Sequence, residues 1–175
     1  CFDPSSAQEA YEMIQEAFEY SEKYGTPVFL RPTTRVCHGY ASIMVKDETE
    51  YTHHQPEGFI KDSKRWVIFP RLSFMNHKKI EARNQELSDI FSSYEKNTIH
   101  PSCDAFKDSK KGIATGGISY TYTMETLKKT GMVKTLKIAT PHPFPEKLAV
   151  DFLSGLDEVL CLEELDPVIE RELIY

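Results

Sequence analysis

The sequence GIATGGISYTYTMETLKKTGMVKTLKIAT, residues 112–140, carries the clearest fold signal in the chain. A short apolar run ends at the pair Gly116 and Gly117, and a stretch of helical residues follows from Ser119. Ser119 is suited to cap that helix and Gly131 to end it, because glycine reaches the left-handed conformation without steric cost. A second apolar run comes next. The order strand, helix, strand predicts a parallel pair joined by a right-handed crossover.

The alternation of strands and helices continues to the end of the sequence. Pro145 suits the first turn of a second helix, where a missing N–H has no cost. A third strand is predicted at 158–162, EVLCL, and as a parallel strand it is expected to be covered on both faces. Asp166 is expected to cap a further helix with Pro167 at its first position. The apolar face of the second helix is predicted to be Ala149, Phe152, Leu153 and Leu156.

The N-terminal part of the chain predicts one more helix followed by a short strand. Ser6 and Glu9 have the spacing of a capping box within residues 5–25, SSAQEAYEMIQEAFEYSEKYG, and Gly25 can end that helix. A strand is expected at 28–30. Because a lone helix and strand have no sheet of their own, we expect them to pack on the C-terminal sheet or on another chain. The buried face of the helix is predicted to be Ala10, Met13, Ile14, Ala17 and Phe18.

The middle of the chain is polar and less regular. Residues 40–45, YASIMV, are compatible with a strand, and the polar residues that follow are expected to form a loop. Residues 76–96 have the propensity of a helix with sparse apolar positions, which is typical of a surface helix. Proline and aspartate interrupt residues 97–111, and this pattern is typical of a linker. We therefore expect a connector with one surface helix between the two α/β parts.

Composition argues against two classes of partner. The 175 residues carry 27 acidic and 21 basic side chains and a net charge of −6, so the chain has no general attraction for nucleic acid. The longest basic clusters, NHKK and SKKG, are too short to form a local basic patch. No apolar run approaches the roughly 20 residues of a transmembrane helix. Neither nucleic acid nor a membrane is predicted as a partner.

Cysteine and histidine spacing does not predict a metal site. Cys1, Cys37, Cys103 and Cys161 are far apart, and no C-x-x-C pair is present to order two ligands of a cluster or a zinc ion. Cys161 is expected to be a buried thiol, and a reducing, cytoplasmic compartment fits this cysteine usage. The histidines lack the spacing of a zinc enzyme, and they are His38, His53, His54, His77, His100 and His142.

The run RPTTRVCHGY, residues 31–40, is the main candidate for a functional segment. It directly follows an apolar run and gathers two threonine hydroxyls, two guanidinium groups, a thiol and an imidazole. Arg31 and Arg35 are suited to clamp a carboxylate. The alternatives are a loop that faces a substrate and a polar interface that holds two domains in register. The side chains assigned to either role are Thr33, Thr34, Arg35 and His38.

Two further segments lie at the ends of predicted strands. Gly116, Gly117 and Ser119 precede or begin a helix whose free N–H groups can bind an anion weakly, although a tight turn that needs small residues explains the same glycines. The run EELDP, residues 163–167, gathers three carboxylates that can hold Mg²⁺ or act as acid and base. Capping of the last helix by Asp166 is the structural alternative.

Three parts of the sequence resemble a known family. They are residues 9–43, residues 112–127 and residues 136–173, and their most specific pieces are TPVFLRPTTRVCH and EELDPVIE. Together they are similar to the middle of the large (alpha) subunit of indolepyruvate:ferredoxin oxidoreductases, which are thiamine-diphosphate-dependent 2-oxoacid:ferredoxin oxidoreductases. The centre of the chain resembles the family only loosely, so the path of the connector is not implied.

The resemblance implies an α/β fold in three parts. Residues 1–35 would form the C-terminal end of the pyrimidine-binding thiamine domain, as a partial helix and strand, and residues 36–110 a connector with a surface helix. Residues 111–175 would form a small, mostly parallel three-layer sheet like the transketolase C-terminal domain. The family's cofactor-activating glutamate would lie before Cys1, and its Mg²⁺/diphosphate-binding domain and iron–sulfur segment after Tyr175. The chain is thus expected to be an internal fragment, inactive alone, without catalytic or metal-binding residues.

The resemblance also implies a reaction for the full-length subunit. It would oxidatively decarboxylate aryl pyruvates such as indolepyruvate to acyl-coenzyme A, with ferredoxin as electron acceptor. Its cofactors would be thiamine diphosphate, Mg²⁺ and [4Fe–4S] clusters, none bound by this fragment. Its partners would be the remaining domains of the subunit, a smaller beta subunit, ferredoxin and coenzyme A, with the RPTTR-x-x-H run near the substrate entrance. The alternative is a stand-alone interaction or regulatory module of transketolase-C-like fold without catalysis.

Overall fold

The computed structural model describes residues 1–51, 53 and 55–174, and its centre is one four-stranded mixed sheet. The strands are β1 (Thr98–His100), β2 (Lys111–Gly116), β3 (Lys134–Ile138) and β4 (Glu158–Leu162). Their order across the sheet is β1-β3-β2-β4. β2 runs parallel to both β3 and β4, whereas β1 runs antiparallel to β3. The predicted α/β class is confirmed, and the antiparallel strand is an addition to it.

Seven α-helices accompany the sheet in the described part of the chain. They are α1 (Ala7–Tyr24), α2 (Thr34–Cys37), α3 (Ser63–Trp66), α4 (Pro70–Phe91), α5 (Gly117–Thr130), α6 (Glu146–Leu153) and α7 (Val168–Ile174). From β2 onward, strands and helices alternate as the sequence predicts. Gly131 ends α5 as expected, with its N–H donating to the carbonyl of Leu127. The predicted cap at Ser119 is wrong, because α5 begins at Gly117 with Gly116 at the N-cap position.

The main core lies between β2, β3 and the helices α6 and α7. Phe152 of α6 is fully buried and Leu153 packs against the same cluster, which confirms the predicted face of this helix except at Leu156. Leu156 joins the core from the loop after α6, which ends at Leu153. Gly112 lets α6 come this close to the sheet, because a Cβ there would lie 2.6 Å from the Leu156 side chain and 2.8 Å from that of Phe152. The fully or nearly fully buried members of the core are Ala114, Leu136, Ile138, Phe144, Ala149, Phe152 and Ile169.

The strand β4 is less covered than its apolar sequence suggests. It is the last strand at one side of the sheet, and the side chain of Leu160 is 56% exposed. The prediction of a strand covered on both faces is therefore wrong, because helices α5, α6 and α7 do not fully cover the edge of the sheet at β4. Cys161 of this strand is partly buried rather than fully buried.

The N-terminal segment packs on the sheet through a second core. Phe2 is buried against Met13 and Ala17 of α1 and Phe91 of α4, and its neighbour Asp3 donates its backbone N–H to the carbonyl of Ala139 just after β3. The expectation that this part packs on the C-terminal sheet is confirmed. The aromatic rings around Phe2 meet edge-on at centroid distances of 5.7 to 5.9 Å, which favours a well-ordered cluster.

Three details of the N-terminal prediction are wrong. The buried face of α1 runs through Met13 and Ala17 toward Tyr20, whereas Phe18 is 67% exposed and Ile14 is also exposed. The predicted strand at 28–30 is reduced to one isolated β-bridge, in which Leu30 pairs with Phe2. Ser6 caps α1 as predicted, because its side chain accepts a hydrogen bond from the backbone N–H of Glu9. The side chain of Glu9 accepts from the backbone N–H and the hydroxyl of Ser5, so the predicted capping box is not completed.

The connector differs from its prediction at both ends. Residues 40–45 form no strand and are exposed. The surface helix begins at Pro70, which fills the first position where no N–H is needed, and its last turn buries Leu87 and Phe91 in the second core. The predicted linker 97–111 contains β1, because the three consecutive residues Thr98–His100 pair with β3.

Asn97 joins the connector to the sheet. Its side-chain nitrogen donates to the carbonyl of Phe91 at 2.8 Å and to the hydroxyl of Thr140 at 2.6 Å. Its side-chain oxygen accepts from the backbone N–H groups of Ala139 at 2.6 Å and Thr140 at 3.2 Å. The amide is buried and uses both its donor and its acceptor, so it fixes the end of α4 against the end of β3.

Replacing Asn97 with alanine is expected to lower the free energy of unfolding by about 2–4 kcal/mol, because the N–H of Ala139 and the carbonyl of Phe91 would stay buried without these partners. Urea denaturation followed by circular dichroism measures the change. Gln85→Ala truncates an exposed amide of α4 and should change the free energy by less than about 0.5 kcal/mol. Equal losses in the two variants would contradict the role given to Asn97.

Candidate functional site

Three segments that are far apart in sequence meet at one cavity of about 250 Å³, here called the junction cavity. The segments are the start of the RPTTR run, the carboxyl end of β2 and the loop between β4 and α7. In α/β proteins ligand sites form at the carboxyl ends of parallel strands. The structure thus places three sequence-predicted features together, and the cavity is lined by residues that include Arg31, Thr33, Thr34, Gly116, Glu163 and Asp166.

Arg35 and His38 lie beside the junction cavity rather than in its lining. Arg35 Nε donates to the hydroxyl of Tyr122 on α5 at 3.0 Å, and the side chain of His38 is exposed. Arg31 Nη2 donates to Asp3 Oδ2 at 3.0 Å. The two guanidinium groups are held by different partners, so they do not converge on one position as the predicted carboxylate clamp would require.

Packing explains the glycine pair at the start of α5. A Cβ on Gly116 would lie 2.7 Å from the carbonyl oxygen of Ile138. Gly117 has φ of +51°, and a Cβ there would lie 3.1 Å from both Asp3 Oδ1 and Thr33 Cγ2. The carboxylate of Asp3 therefore stands in front of this helix N-terminus, in the space that an external anion would need. Ser119, the third residue of the predicted anion site, lines a separate open cavity beside β4.

The junction cavity carries an excess of negative charge. The carboxylates of Asp3, Glu163, Glu164 and Asp166 line it together with the guanidinium of Arg31. Burial raises the pKa of Asp3, and Glu164 and Glu163 raise it further, against the opposing effect of Arg31. This balance of charge disfavours an anion in the cavity itself and weakens the anion-site reading of the glycine turn.

Glu163 caps α7, in place of the predicted Asp166. Its two carboxylate oxygens accept from the backbone N–H of Ile169 at 2.7 Å and of Glu170 at 3.0 Å. Asp166 contributes only its backbone carbonyl, which accepts from the N–H of Val168. Leu165, between the two acids, has φ of +67° and a fully exposed side chain. Backbone conformations of this kind in a non-glycine residue cluster at functional sites.

A buried ionic cluster beneath α1 was missed by the sequence analysis. Lys137 of β3 is 5% exposed, and its ammonium group pairs with the carboxylate of Glu9. The ammonium nitrogen also lies 4.6 Å from the centroid of the Tyr120 ring. Tyr120 in turn shares a hydrogen bond of 3.0 Å with His100 Nε2. A lysine in the centre of the apolar strand TLKIA is the sequence signal that could have predicted this pair.

The cluster shifts the titration of its members. Burial acts to raise the pKa of Glu9, but the attraction of Lys137 and the hydrogen bonds from Ser5 outweigh it, so the pKa is lowered. The pKa of His100 is lowered by burial and by the charge of Lys137. Burial also raises the pKa of Tyr120. Glu9 is therefore held in its charged form at neutral pH.

Within the described ranges, no three His, Cys, Asp or Glu side chains converge in a way that could hold a metal ion. The four cysteines are free thiols, and burial raises the pKa of Cys161 to about 11. His54, one of the histidines considered above, lies outside the described residues. None of the helices described here combines the length and apolar content needed to cross a bilayer.

Comparison with known proteins gives one consistent result. The chain is similar to the protein named "Indolepyruvate oxidoreductase subunit IorA" in three archaea. It is 36% identical to that of Methanothermobacter thermautotrophicus over 174 residues, 98% of this chain and 27% of the relative. It is 37% identical to that of Pyrococcus abyssi over 175 residues, 97% of this chain and 26% of the relative. It is 35% identical to that of Thermococcus kodakarensis, again over 97% of this chain and 26% of the relative.

The similarity covers nearly the whole chain, including the connector that the sequence analysis matched only loosely. The chain therefore belongs to a family of oxidoreductase subunits. In particular, its predicted resemblance to the large (alpha) subunit of indolepyruvate oxidoreductases is confirmed, and it spans about a quarter of the length of the curated relatives it matches. No family model matches the chain. No solved structure matches it either, so the likeness to the transketolase C-terminal domain stays a prediction.

Gly117→Ala is expected to cost about 1 kcal/mol more than Gly25→Ala. Both glycines have φ near +55°, at +51° and +56°, so both alanines carry the left-handed strain of about 1 kcal/mol. A Cβ at Gly25 meets nothing within 4 Å, whereas one at Gly117 presses on Asp3 and Thr33. Urea denaturation of the two variants measures the difference. Equal costs would show that the junction cavity is loosely packed around Gly117.

Glu9→Gln is expected to make the free energy of unfolding depend less on pH in the acid range. The folded pKa of Glu9 is below the unfolded value, so its contribution is present above about pH 4.5 and is lost as pH falls through the folded pKa. The variant should lose about 3 kcal/mol at neutral pH and less toward pH 3. Unfolding free energies measured over this range test it. Glu125→Gln, which removes an exposed carboxylate of α5, should follow the wild-type curve.

Proposed function

We propose that the chain is the part of the large subunit of an indolepyruvate oxidoreductase that lies at the junction of two domains next to the substrate entrance. In this role it supplies shape and one cationic group rather than catalytic residues. The supporting observation is that the RPTT run, the glycine turn and the EELDP loop meet at one cavity, in a chain similar to IorA subunits along its whole length.

We assign a substrate-contacting role to the exposed edge of this junction. Arg35 is exposed, and its bond to the hydroxyl of Tyr122 holds the guanidinium next to α5. Its remaining N–H donors suit the carboxylate of a 2-oxoacid, because a guanidinium group binds a carboxylate with two parallel hydrogen bonds. His38 lies one turn further along the same exposed segment. Thr33 and Thr34 shape the adjacent wall of the junction cavity.

For the full-length protein we propose the oxidative decarboxylation of aryl pyruvates, with indolepyruvate as the type substrate. The bond between the keto carbon and the carboxylate breaks, carbon dioxide leaves, and the acyl group forms a thioester with coenzyme A. Two electrons pass to ferredoxin and one proton is released. The beta subunit and the remaining domains of the large subunit are the further partners, and the cytoplasm is the proposed location.

The thiamine diphosphate, Mg²⁺ and [4Fe–4S] groups of this proposal are assigned to other parts of the full-length protein. The junction cavity does not fit a diphosphate, because the four carboxylates that line it would repel the negative charge of the diphosphate. Its carboxylates do not converge as metal ligands within the described residues. No catalytic step is therefore assigned to groups bound by this chain.

Arg35→Ala in the full-length enzyme is expected to raise the KM for indolepyruvate about tenfold, with a smaller effect on kcat, because it removes a charge-assisted hydrogen bond to the substrate carboxylate. Ferredoxin reduction measures both constants. Lys128→Ala removes an exposed cation of α5 at the other end of this helix and should leave KM unchanged. An unchanged KM in Arg35→Ala would remove Arg35 from the substrate entrance.

A further inference from the structure

One face of the connector exposes an apolar surface that is unusual for a soluble domain. The face covers residues 59–83, and it is called the connector face below. Ile68 is 84% exposed, and other large side chains of the face are also exposed. A groove of about 870 Å³ is lined by Val67, Phe69 and Met75 of this face. Contiguous exposed apolar surface of this kind marks an interaction site. Its exposed apolar members include Phe59, Ile60, Trp66, Val67, Ile68, Phe69, Phe74 and Met75.

The connector face is also basic, although the chain as a whole is acidic. Seven lysines and arginines and only two acidic residues lie between Lys61 and Arg83, whereas the whole chain has a net charge of −6. The basic residues are separated by apolar ones, so the sequence shows no cluster longer than NHKK. Lys64 and Arg71 line the groove itself. The surface that fits this face is apolar in the middle and acidic at its margins.

Local contacts hold parts of the face in place. The indole N–H of Trp66 donates to the carbonyl of Ile60 at 2.9 Å, and the guanidinium of Arg65 lies 4.5 Å from the Trp66 ring. The ammonium of Lys78 lies 4.6 Å from the ring of Phe74. Aromatic rings fixed in this way present their area to a partner with little loss of side-chain entropy.

We propose that the connector face is an internal interface of the full-length subunit, covered by an acidic and apolar surface from the part of the same polypeptide outside these 175 residues. The IorA relatives are about four times as long as this chain, so a subunit of that length has further polypeptide that can cover the face. A tethered partner also has a high effective concentration, which keeps an apolar face covered at all times. This inference rests on the proposal that the chain is part of a longer large subunit, but not on the reaction proposed for that subunit.

Charge and composition argue against two other occupants. In a symmetric dimer the connector faces of two copies would meet, and the exposed basic residues of each, such as Lys64 and Arg71, would repel those of the other. Nucleic acid would be attracted by the basic residues, but its binding would not bury exposed aliphatic side chains such as Ile68 and Val67 favourably. A protein surface with acidic margins and an apolar centre pairs with the cations and also fills the apolar groove.

Carbodiimide cross-linking of the full-length protein tests the proposal, because this reagent joins lysines to carboxylates in direct contact. Lys61, Lys64, Lys78 and Lys79 are expected to link to aspartates or glutamates outside the 175 residues. A mixture of ¹⁴N- and ¹⁵N-labelled protein distinguishes links within one copy from links between copies. Links within one copy are expected. Links between copies, no links beyond this chain, or links that require an added second protein or RNA would each overturn the proposal.

Substitutions separate the interface from general folding. Ile68→Asp is expected to lower the yield of these links about tenfold and to speed hydrogen exchange across residues 59–83. Val150→Asp is the matched control, since it places the same charge on an exposed apolar position of α6, and it should change neither measurement. If Ile68→Asp does not fold, Arg71→Glu gives the same test of link yield, because Arg71 lines the groove and is not itself a cross-linked residue. Wild-type link yields in Arg71→Glu and Ile68→Asp would contradict the proposal.

Discussion

The buried pair of Glu9 and Lys137 is the interaction on which the arrangement of this chain depends. Removing two charges from water costs more than their attraction returns unless other hydrogen bonds complete the pair, and Ser5 supplies two of them to Glu9. The pair fixes the first turn of α1 over β3. That position in turn sets Asp3 at the start of α5 and brings the RPTT run to the end of β2. The junction cavity depends on this pair together with the backbone hydrogen bond from Asp3 to Ala139, because both hold the N-terminal segment at the end of β3.

Much of the C-terminal half could be predicted from the sequence. Local structure is indicated by glycines at helix ends, by apolar residues spaced three to four apart and by short apolar runs. These patterns predicted the order of elements from Gly112 onward. The sequence did not reveal β4 as an edge strand, because an apolar strand has the same composition whether one or two of its faces are covered. It also did not reveal β1, since three residues beside a proline carry too weak a signal.

The candidate site was predicted in its residues but not in its geometry. The RPTT run, Gly116 and the EELDP acids were singled out separately, and spacing within each segment gave no reason to bring them together. Their convergence depends on tertiary contacts such as the backbone bond from Asp3 to Ala139, which no local pattern encodes. The reassignment of the cap from Asp166 to Glu163 has the same cause. Glu163 lies five residues before Val168, where α7 begins, and its side chain reaches the first turn because Leu165 reverses the chain.

The outer side of β4 has a consequence for how this part of the protein behaves when its neighbours are absent. A terminal strand presents backbone donors and acceptors that can accept another strand, from a neighbouring domain or from a misfolded molecule. Lys111 and Glu158 form an ion pair of 2.8 Å across the beginning of β2 and β4, and such charges act as gatekeepers against unplanned pairing. The protection stops there, so the stretch around Leu160, whose side chain is exposed, remains a template for β-augmentation.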